Sequence, residues 1–177
     1  MRLRTTVYRA HNPRWSFAPL SGADAARYGG RFNPTGMEAL YTSKRFETAW
    51  LEAQQGFAFK AQPLTLIAYD VDCDDVADLT QAATCAGLGV SGNDLGCAWE
   101  DLVSRGIDPP SWQIARRLYN DGTAAIIVPS YAPGANEDDI NVVFCGLMYQ
   151  PPPEQDGIRS IMPHGRGFRI SRRQIRT

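Results

Sequence analysis

The sequence lacks the residue patterns that build metal centres and membrane-spanning segments. It holds only two histidines, His11 and His164, and no Cys-x-x-Cys pair among its four cysteines, Cys73, Cys85, Cys97 and Cys145. We therefore expect no metal site and four reduced cysteines. No apolar run approaches the roughly 20 residues that span a bilayer, and no apolar stretch follows the arginines near the N-terminus. These absences predict a cytoplasmic protein without a membrane segment.

What is present fits one folded domain covering residues 1–177. Hydrophobic residues make up 44% of the chain and aromatic residues 10%, which is enough for a core, and the charged fraction of 21% is ordinary. The net charge of −1 hides an asymmetry. In the basic C-terminal segment, 154–177, residues 157–177 carry six arginines and no acid, so the other residues sum to −7. Such a segment is suited either to binding polyanions or to pairing with the acidic body.

Short strand patterns mixed with a few helices predict an α+β fold with mixed, mostly antiparallel sheets and flanking helices. Strands are expected at 3–10, 39–42, 64–71, 123–128, 140–145 and 168–170. Helices are expected at 23–27, 94–105 and 112–120, with a surface loop at 80–93 and a solvated acidic turn at 70–75.

A further helix should follow the second strand, with Ser43 as N-cap and Gly56 as its stop. Its buried stripe is predicted from the i, i+3, i+4, i+7 spacing of Phe46, Ala49, Trp50 and Ala53. On that helical wheel Glu52 lies at the margin of the stripe, where a side chain can border a cleft.

The stretch from Tyr28 to Glu52 combines a glycine-rich loop, a short strand and this helix. The loop, 29–36, lacks the spacing of the common phosphate-binding fingerprints. It offers backbone that a ligand can approach closely, and Arg31 is suited to bidentate phosphate binding. Serine-hydrolase chemistry is disfavoured because Ser130 has no Gly-x-Ser-x-Gly context. A glycosidase pairing Glu52 with an aspartate from 70–75 stays open.

Several blocks of the sequence resemble the RES domain family. They are Tyr8-Arg9-Ala10, Gly29-Gly30-Arg31-Phe32-Asn33-Pro34, Ala39-Leu40-Tyr41-Thr42-Ser43, Glu47-Thr48-Ala49 with Glu52, Gln113, Pro129-Ser130 and Asn141-Val142-Val143-Phe144. They cover roughly residues 6–146 in the family's order. The arginine, glutamate and serine that name the family would be Arg31, Glu52 and Ser130.

The resemblance implies a toxin of a bacterial toxin–antitoxin pair with an ADP-ribosyltransferase-like fold of the diphtheria-toxin group. It implies NAD⁺ as substrate and no metal, with Glu52, Arg31 and Tyr41 as catalytic residues. Arg31, Tyr41, Asn33 and Ser130 would contact NAD⁺. The implied partner is an Xre-type helix-turn-helix antitoxin, through which alone nucleic acid would be contacted.

The acceptor of ADP-ribose stays open. Arginine-directed transferases tend to carry an acid or amide two residues before the catalytic glutamate, and here that position is Trp50. We expect transfer to another side chain of a cytoplasmic protein, with NAD⁺ hydrolysis as the alternative. Two hypotheses of other classes are a nucleic-acid-binding module that uses the C-terminal arginines and a structural interaction protein.

Overall fold

The computed structural model describes residues 1–54, 63–146 and 168–172. Its centre is a seven-stranded sheet with the order β4-β5-β6-β2-β1-β3-β7. The strands are β1 (Leu3–His11), β2 (Ala39–Ser43), β3 (Thr65–Cys73), β4 (Val76–Asp78), β5 (Ala125–Pro129), β6 (Ile140–Cys145) and β7 (Phe168–Arg172). Neighbouring strands are antiparallel except for the parallel pair β4–β5. The predicted α+β, mostly antiparallel fold is confirmed.

Helices flank this sheet. They are a 3₁₀ helix (Pro13–Trp15), α1 (Ala23–Tyr28), α2 (Phe46–Ala53), α3 (Ala82–Leu88), α4 (Gly92–Leu95), α5 (Trp99–Ser104) and α6 (Pro110–Asn120). The chain from α3 to α6 forms the crossover that the parallel pair β4–β5 requires, because parallel neighbours cannot be joined by a tight turn. In the part of the chain that the structure describes, no helix has the length and apolar character to cross a membrane.

The sheet consists of two halves that meet at one point. β1 and β3 pair over nine residues, and β2 and β6 pair over five. Between β1 and β2, in contrast, a single pair is in register, Tyr8 opposite Ser43. The strands diverge beyond this pair, so the sheet opens between its halves.

Both faces of the sheet bury apolar side chains. One core cluster contains Val7, Leu40, Tyr69 and Phe144. The other lies under the helices and contains Ile114, Leu118, Ile126 and Val143. β5 and β6 contribute to both clusters, which explains why they read as continuous apolar runs rather than as alternating strands.

The prediction for α2 was wrong in its cap and only partly right in its buried face, where Ala49 is buried as predicted. Ser43 ends β2 instead of capping the helix, whose N-cap residue is Arg45. Phe46 and Trp50 are 51% and 44% exposed, while Thr48 and Ala49 are buried. Gly56 lies outside the described residues. The helix is turned so that its inner face contacts β1 and β2.

Two other predictions were partly wrong. The stretch 80–93 holds α3 and the first two residues of α4 rather than a loop, since its small residues tolerate helix as well as turn. The expected helix at 94–105 is broken between α4 and α5 at 96–98.

The acidic stretch 70–75 is mainly strand rather than turn. Asp70 and Asp72 lie in β3, and the turn falls at 74–75, where Asp75 has a φ of 59°. Asp72 accepts hydrogen bonds from Arg2 Nε at 2.6 Å and from Arg4 Nε at 3.0 Å. These two arginines hold the pKa of Asp72 well below its usual range. The carboxylate is therefore engaged at the outer surface of β3.

Candidate active site

A cleft of about 430 Å³ opens where the two halves of the sheet diverge. Because side chains alternate along a strand, Tyr41 and Ser43 of β2 share a face with Asn141 and Val143 of β6. Tyr8 of β1 lies opposite Ser43. Sheet residues, α2 and the glycine loop all line the cleft, with Arg31, Tyr41 and Glu52 among its walls. The structure thus brings together the three residues that the sequence predicts to be catalytic.

Glu52 is fixed by hydrogen bonds from two distant segments. Its Oε1 accepts from Ser130 Oγ at 2.6 Å and from Asn141 Nδ2 at 2.5 Å. The Oδ1 of Asn141 in turn accepts from Ser43 Oγ at 2.7 Å, which sets the orientation of the amide. Ser130 and Asn141 are neutral donors, so these two hydrogen bonds orient the carboxylate without adding a countercharge.

Ser130 supports Glu52 rather than lining the cleft. Its Oγ donates to Glu52 and also accepts from the backbone N–H of Ala132 at 3.2 Å. Ser130 is not among the residues that line the cleft. Of the two roles that the residue type allows, ligand contact and orientation of Glu52, the geometry favours orientation.

A buried carboxylate ties α2 to the loop between β5 and β6. Asp139, 5% exposed, accepts from Thr48 Oγ1 at 2.5 Å and from the N–H of Asn136 at 2.9 Å. Its backbone carbonyl accepts from the N–H of Ser130 at 2.7 Å. Hydrogen bonds from Thr48 and Asn136 lower the pKa of Asp139. One residue therefore holds both the helix that carries Glu52 and the serine that orients it.

The glycine loop forms a tight turn clamped by Asn33. Gly30 and Asn33 pair through two backbone hydrogen bonds of 2.9 and 3.3 Å. The Asn33 side chain is fully buried, and its Nδ2 donates to the carbonyls of Ala25 and Met37 at 2.8 and 2.9 Å. In this structure Asn33 thus shapes the loop, and it does not line the cleft.

Tyr41 connects the second strand to the same turn. Its hydroxyl donates to Asn33 Oδ1 at 2.7 Å and accepts from the N–H of Phe32 at 3.0 Å. A Cβ at Gly30 would lie 2.6 Å from the Tyr41 hydroxyl, so no larger residue fits there without a shift. Burial raises the pKa of Tyr41 well above its usual value, so the phenol is protonated at neutral pH and cannot act as a base.

Arg31 projects from this turn into the cleft. Its Nη1 donates to the carbonyl of Cys97 at 2.6 Å, and its guanidinium lies 4.5 Å from the centre of the Tyr131 ring. Trp112 of α6 fixes the turn from behind, since its Nε1 donates to the carbonyl of Gly30 at 2.7 Å. These contacts hold the cation in place beside an aromatic face.

Four residues of the site had no predicted role, although three of their signals were visible in the sequence. Arg9 is a cation inside a strand, Asn141 opens an apolar strand, and Tyr131 follows Ser130 directly. Trp112 was predicted only as part of the helix at 112–120, because nothing in the local sequence reveals its contact with Gly30. Arg9 lines the cleft, its Nη1 donates to the carbonyls of Pro19 and Ser21, and burial lowers its pKa.

Two of the four cysteines are unsuited to nucleophilic chemistry, and the described residues form no metal-binding group. Burial raises the pKa values of Cys73 and Cys145 to about 12, which suppresses the nucleophilic thiolate. All four cysteines are free thiols. Within residues 1–54, 63–146 and 168–172 no group of three or more His, Cys, Asp or Glu side chains is arranged to hold a metal ion.

Fold and site together define an α+β protein with one oriented carboxylate, an arginine and a tyrosine around a cleft in a split sheet. The chain belongs to the RES domain family, whose model matches residues 6–158. This confirms the resemblance drawn from the sequence motifs.

Among solved structures, a chain in the crystal structure of the M. tuberculosis MbcT–MbcA toxin–antitoxin complex has a similar fold, with a TM-score of 0.63. The match covers 98% of this chain and 84% of that chain, at 18% identity. At this identity the likeness shows the fold. No curated protein matches the sequence significantly.

Proposed function

We propose that this protein is the toxin of a bacterial toxin–antitoxin pair that cleaves NAD⁺ at the nicotinamide–ribose bond. The observation that carries the proposal is Glu52, a carboxylate on the wall of the cleft that Ser130 and Asn141 hold in one orientation. Membership of the RES domain family is consistent with action on NAD⁺. The cleft volume of about 430 Å³ lies in the range of small-molecule sites.

Glu52 fits the chemistry of this bond. Cleavage of a glycosidic bond passes through an oxocarbenium-like sugar, so positive charge develops at the ribose in the transition state. A carboxylate that is already oriented stabilises this charge without reorganisation when the bond breaks. Loss of such a group costs on the order of 10²–10³ in rate.

Arg31 would bind the diphosphate or the ribose of NAD⁺, and Tyr41 would bind the nicotinamide ring. The guanidinium carries five N–H donors, and among the described residues Arg31 uses Nη1 on the Cys97 carbonyl. Its other N–H groups can hold a diphosphate or a ribose. Tyr41 can offer its ring for stacking of nicotinamide, since its hydroxyl is committed to the turn.

The released ADP-ribose would pass to a cytoplasmic protein. An exposed tryptophan, Trp50, stands two residues before Glu52, where an arginine-directed enzyme would carry an acid or amide, so modification of arginine is disfavoured. Water is the alternative acceptor, which would make the protein an NAD⁺ glycohydrolase that depletes the cell of NAD⁺.

An antitoxin of the Xre helix-turn-helix type would be the partner. The chain of similar fold in the M. tuberculosis structure is part of a toxin–antitoxin complex, which supports an antitoxin as the partner here. Nucleic acid would then be contacted through the antitoxin.

The experiment uses NAD⁺ labelled in the adenylate phosphate, with purified protein in the presence and absence of a cytoplasmic extract. A discrete labelled protein band is expected with the wild type and with Glu47→Gln, and no band with Glu52→Gln. Glu47 is the matched control because it lies on the same helix but is exposed and outside the cleft.

Two other results have different meanings. Free ADP-ribose without a labelled band would replace transfer by hydrolysis. Failure of the wild type to release nicotinamide under either condition would contradict the proposed function.

A further inference from the structure

A second, smaller pocket of about 200 Å³ lies beside the cleft. Its walls come from the end of β1, the loop that follows it and the start of α1. Arg9 and Asp24 line both cavities. The two spaces are therefore neighbours that meet at these two residues.

His11, in the wall of this pocket, carries a hydrogen-bond acceptor that no described residue uses. The imidazole is 9% exposed and lines the pocket. Its Nδ1 lies 2.9 Å from the backbone carbonyl of Asn12, so Nδ1 must carry the proton, and in the neutral ring Nε2 then holds a lone pair. Nε2 is buried and has no hydrogen-bond partner among the described residues. A buried polar atom without a partner is rare in folded proteins and calls for an explanation.

Aromatic rings form the outer wall of the pocket. Trp15 and Phe17 line it with ring centres 6.1 Å apart, and they remain 43% and 74% exposed. Exposed rings beside a cavity are suited to stacking on a flat ligand. Arg9 holds the loop that carries them, because its Nη1 donates to the carbonyls of Pro19 and Ser21.

We propose that this side pocket holds the adenine base of the dinucleotide and that His11 selects it by accepting a hydrogen bond from the exocyclic amine. The inference rests on the proposed function and extends it from the bond that is cleaved to the base that is recognised. A purine supplies the flat ring that Trp15 and Phe17 can cover. Its amino group supplies the donor that Nε2 lacks, whereas hypoxanthine presents a carbonyl oxygen at the same position.

The test compares binding of AMP and IMP to the full chain by isothermal titration calorimetry. The wild type should bind AMP more tightly than IMP by on the order of tenfold, the value of one hydrogen bond. His11→Leu should remove this preference. Phe17→Ala should weaken both nucleotides on the order of tenfold through lost stacking. Ile107→Ala, at an exposed apolar residue outside both cavities, should change neither.

Catalysis supplies a second readout. Cleavage of nicotinamide mononucleotide, which has no adenine, should be unchanged in His11→Leu and Phe17→Ala, while KM for NAD⁺ rises in both. Equal binding of AMP and IMP by the wild type, or unaltered AMP binding by Phe17→Ala, would overturn the inference even if NAD⁺ is cleaved. A preference for AMP that depends on His11 in a protein that releases no nicotinamide would sustain the pocket and refute the proposed reaction.

Discussion

Each of the two faces of α2 carries a glutamate, but one glutamate is exposed to solvent and the other is held by hydrogen bonds. On the outer face Glu47 is exposed and lies 3.5 Å from Arg45. On the inner face Glu52 receives hydrogen bonds from Ser130 and Asn141, residues 78 and 89 positions away along the chain. The helix supplies both glutamates, and the strands supply the orientation of one. The chemical capacity of a carboxylate here depends on long-range contacts.

The largest effect is expected from a paired substitution on the two faces. Glu52→Gln keeps the size of the side chain and an oxygen that can accept from Ser130, but it removes the charge. Nicotinamide release should fall 10²–10³-fold, about 3–4 kcal/mol in the activation barrier. Glu47→Gln should retain the wild-type rate. Equal losses in both variants, measured by steady-state release of nicotinamide, would remove the distinction between the faces.

Asp139→Asn tests the clamp that holds the inner face. The substitution weakens the charged hydrogen bonds from Thr48 and Asn136, and should lower the free energy of unfolding by about 1–3 kcal/mol at pH 7. The pKa of Asp139 is lowered in the folded state, so its stabilising effect is complete above its unfolded pKa, about 3.9. It is lost as the pH falls through the lower folded value.

Urea unfolding at a series of pH values checks this prediction. The difference between wild type and Asp139→Asn should shrink below about pH 4. A difference that grows on acidification would mean that the pKa of Asp139 is raised by folding instead.

Ser130→Ala removes one of the hydrogen bonds that orient Glu52 among the described residues. The carboxylate keeps Asn141, so kcat should fall on the order of tenfold, with a smaller change in KM. A rise in KM at constant kcat would indicate that Ser130 contacts the substrate instead. Ser130→Thr retains a hydroxyl and serves as the conservative control.

The smallest effect is expected on the outer face. Glu47 lies in the first turn of α2, where its charge interacts favourably with the helix dipole, and it forms an ion pair with Arg45. Both of these interactions are exposed to solvent. Glu47→Gln should lower the free energy of unfolding by less than about 1 kcal/mol, and less in high salt. A larger or salt-independent loss in thermal unfolding would show that this face is engaged more strongly than its exposure indicates.

The elements of the fold were easier to predict from sequence than their orientation. The strands expected at 123–128 and 140–145 correspond to β5 and β6, and the helix expected at 112–120 corresponds to α6. The spacing of apolar residues alone predicted that Phe46 and Trp50 lie on the buried side of α2. Thr48 is buried instead because Asp139 satisfies its hydroxyl, a contact across 91 residues. Around the helix axis Glu52 lies between Thr48 and Ala49. It is therefore in the middle of the inner face, towards the cleft, and not at the margin of the buried stripe as predicted.

In the candidate site, too, local sequence patterns predicted some residues, whereas the roles of others depend on long-range contacts. Local motifs predicted Arg31, Tyr41 and Glu52 as site residues, and the three lie in one cleft. Asn33 and Ser130 were predicted to contact the ligand, but their contacts place them behind the cleft as supports. The roles of Asn141 and Trp112 were not predicted, because they arise from strand register and from helix packing. The arginines of 157–177 outside β7, which carried the nucleic-acid hypothesis, lie outside the described residues.

The central claim is that Glu52 acts on the breaking bond more than on substrate binding. Titration calorimetry of NAD⁺ into Glu52→Gln, alongside its rate of nicotinamide release, tests this directly. We expect a Kd within about tenfold of the wild type and a rate lower by 10²–10³, because losing a group that stabilises the transition state lowers kcat. A wild-type rate, or loss of binding that accounts for the whole loss of activity, would contradict it.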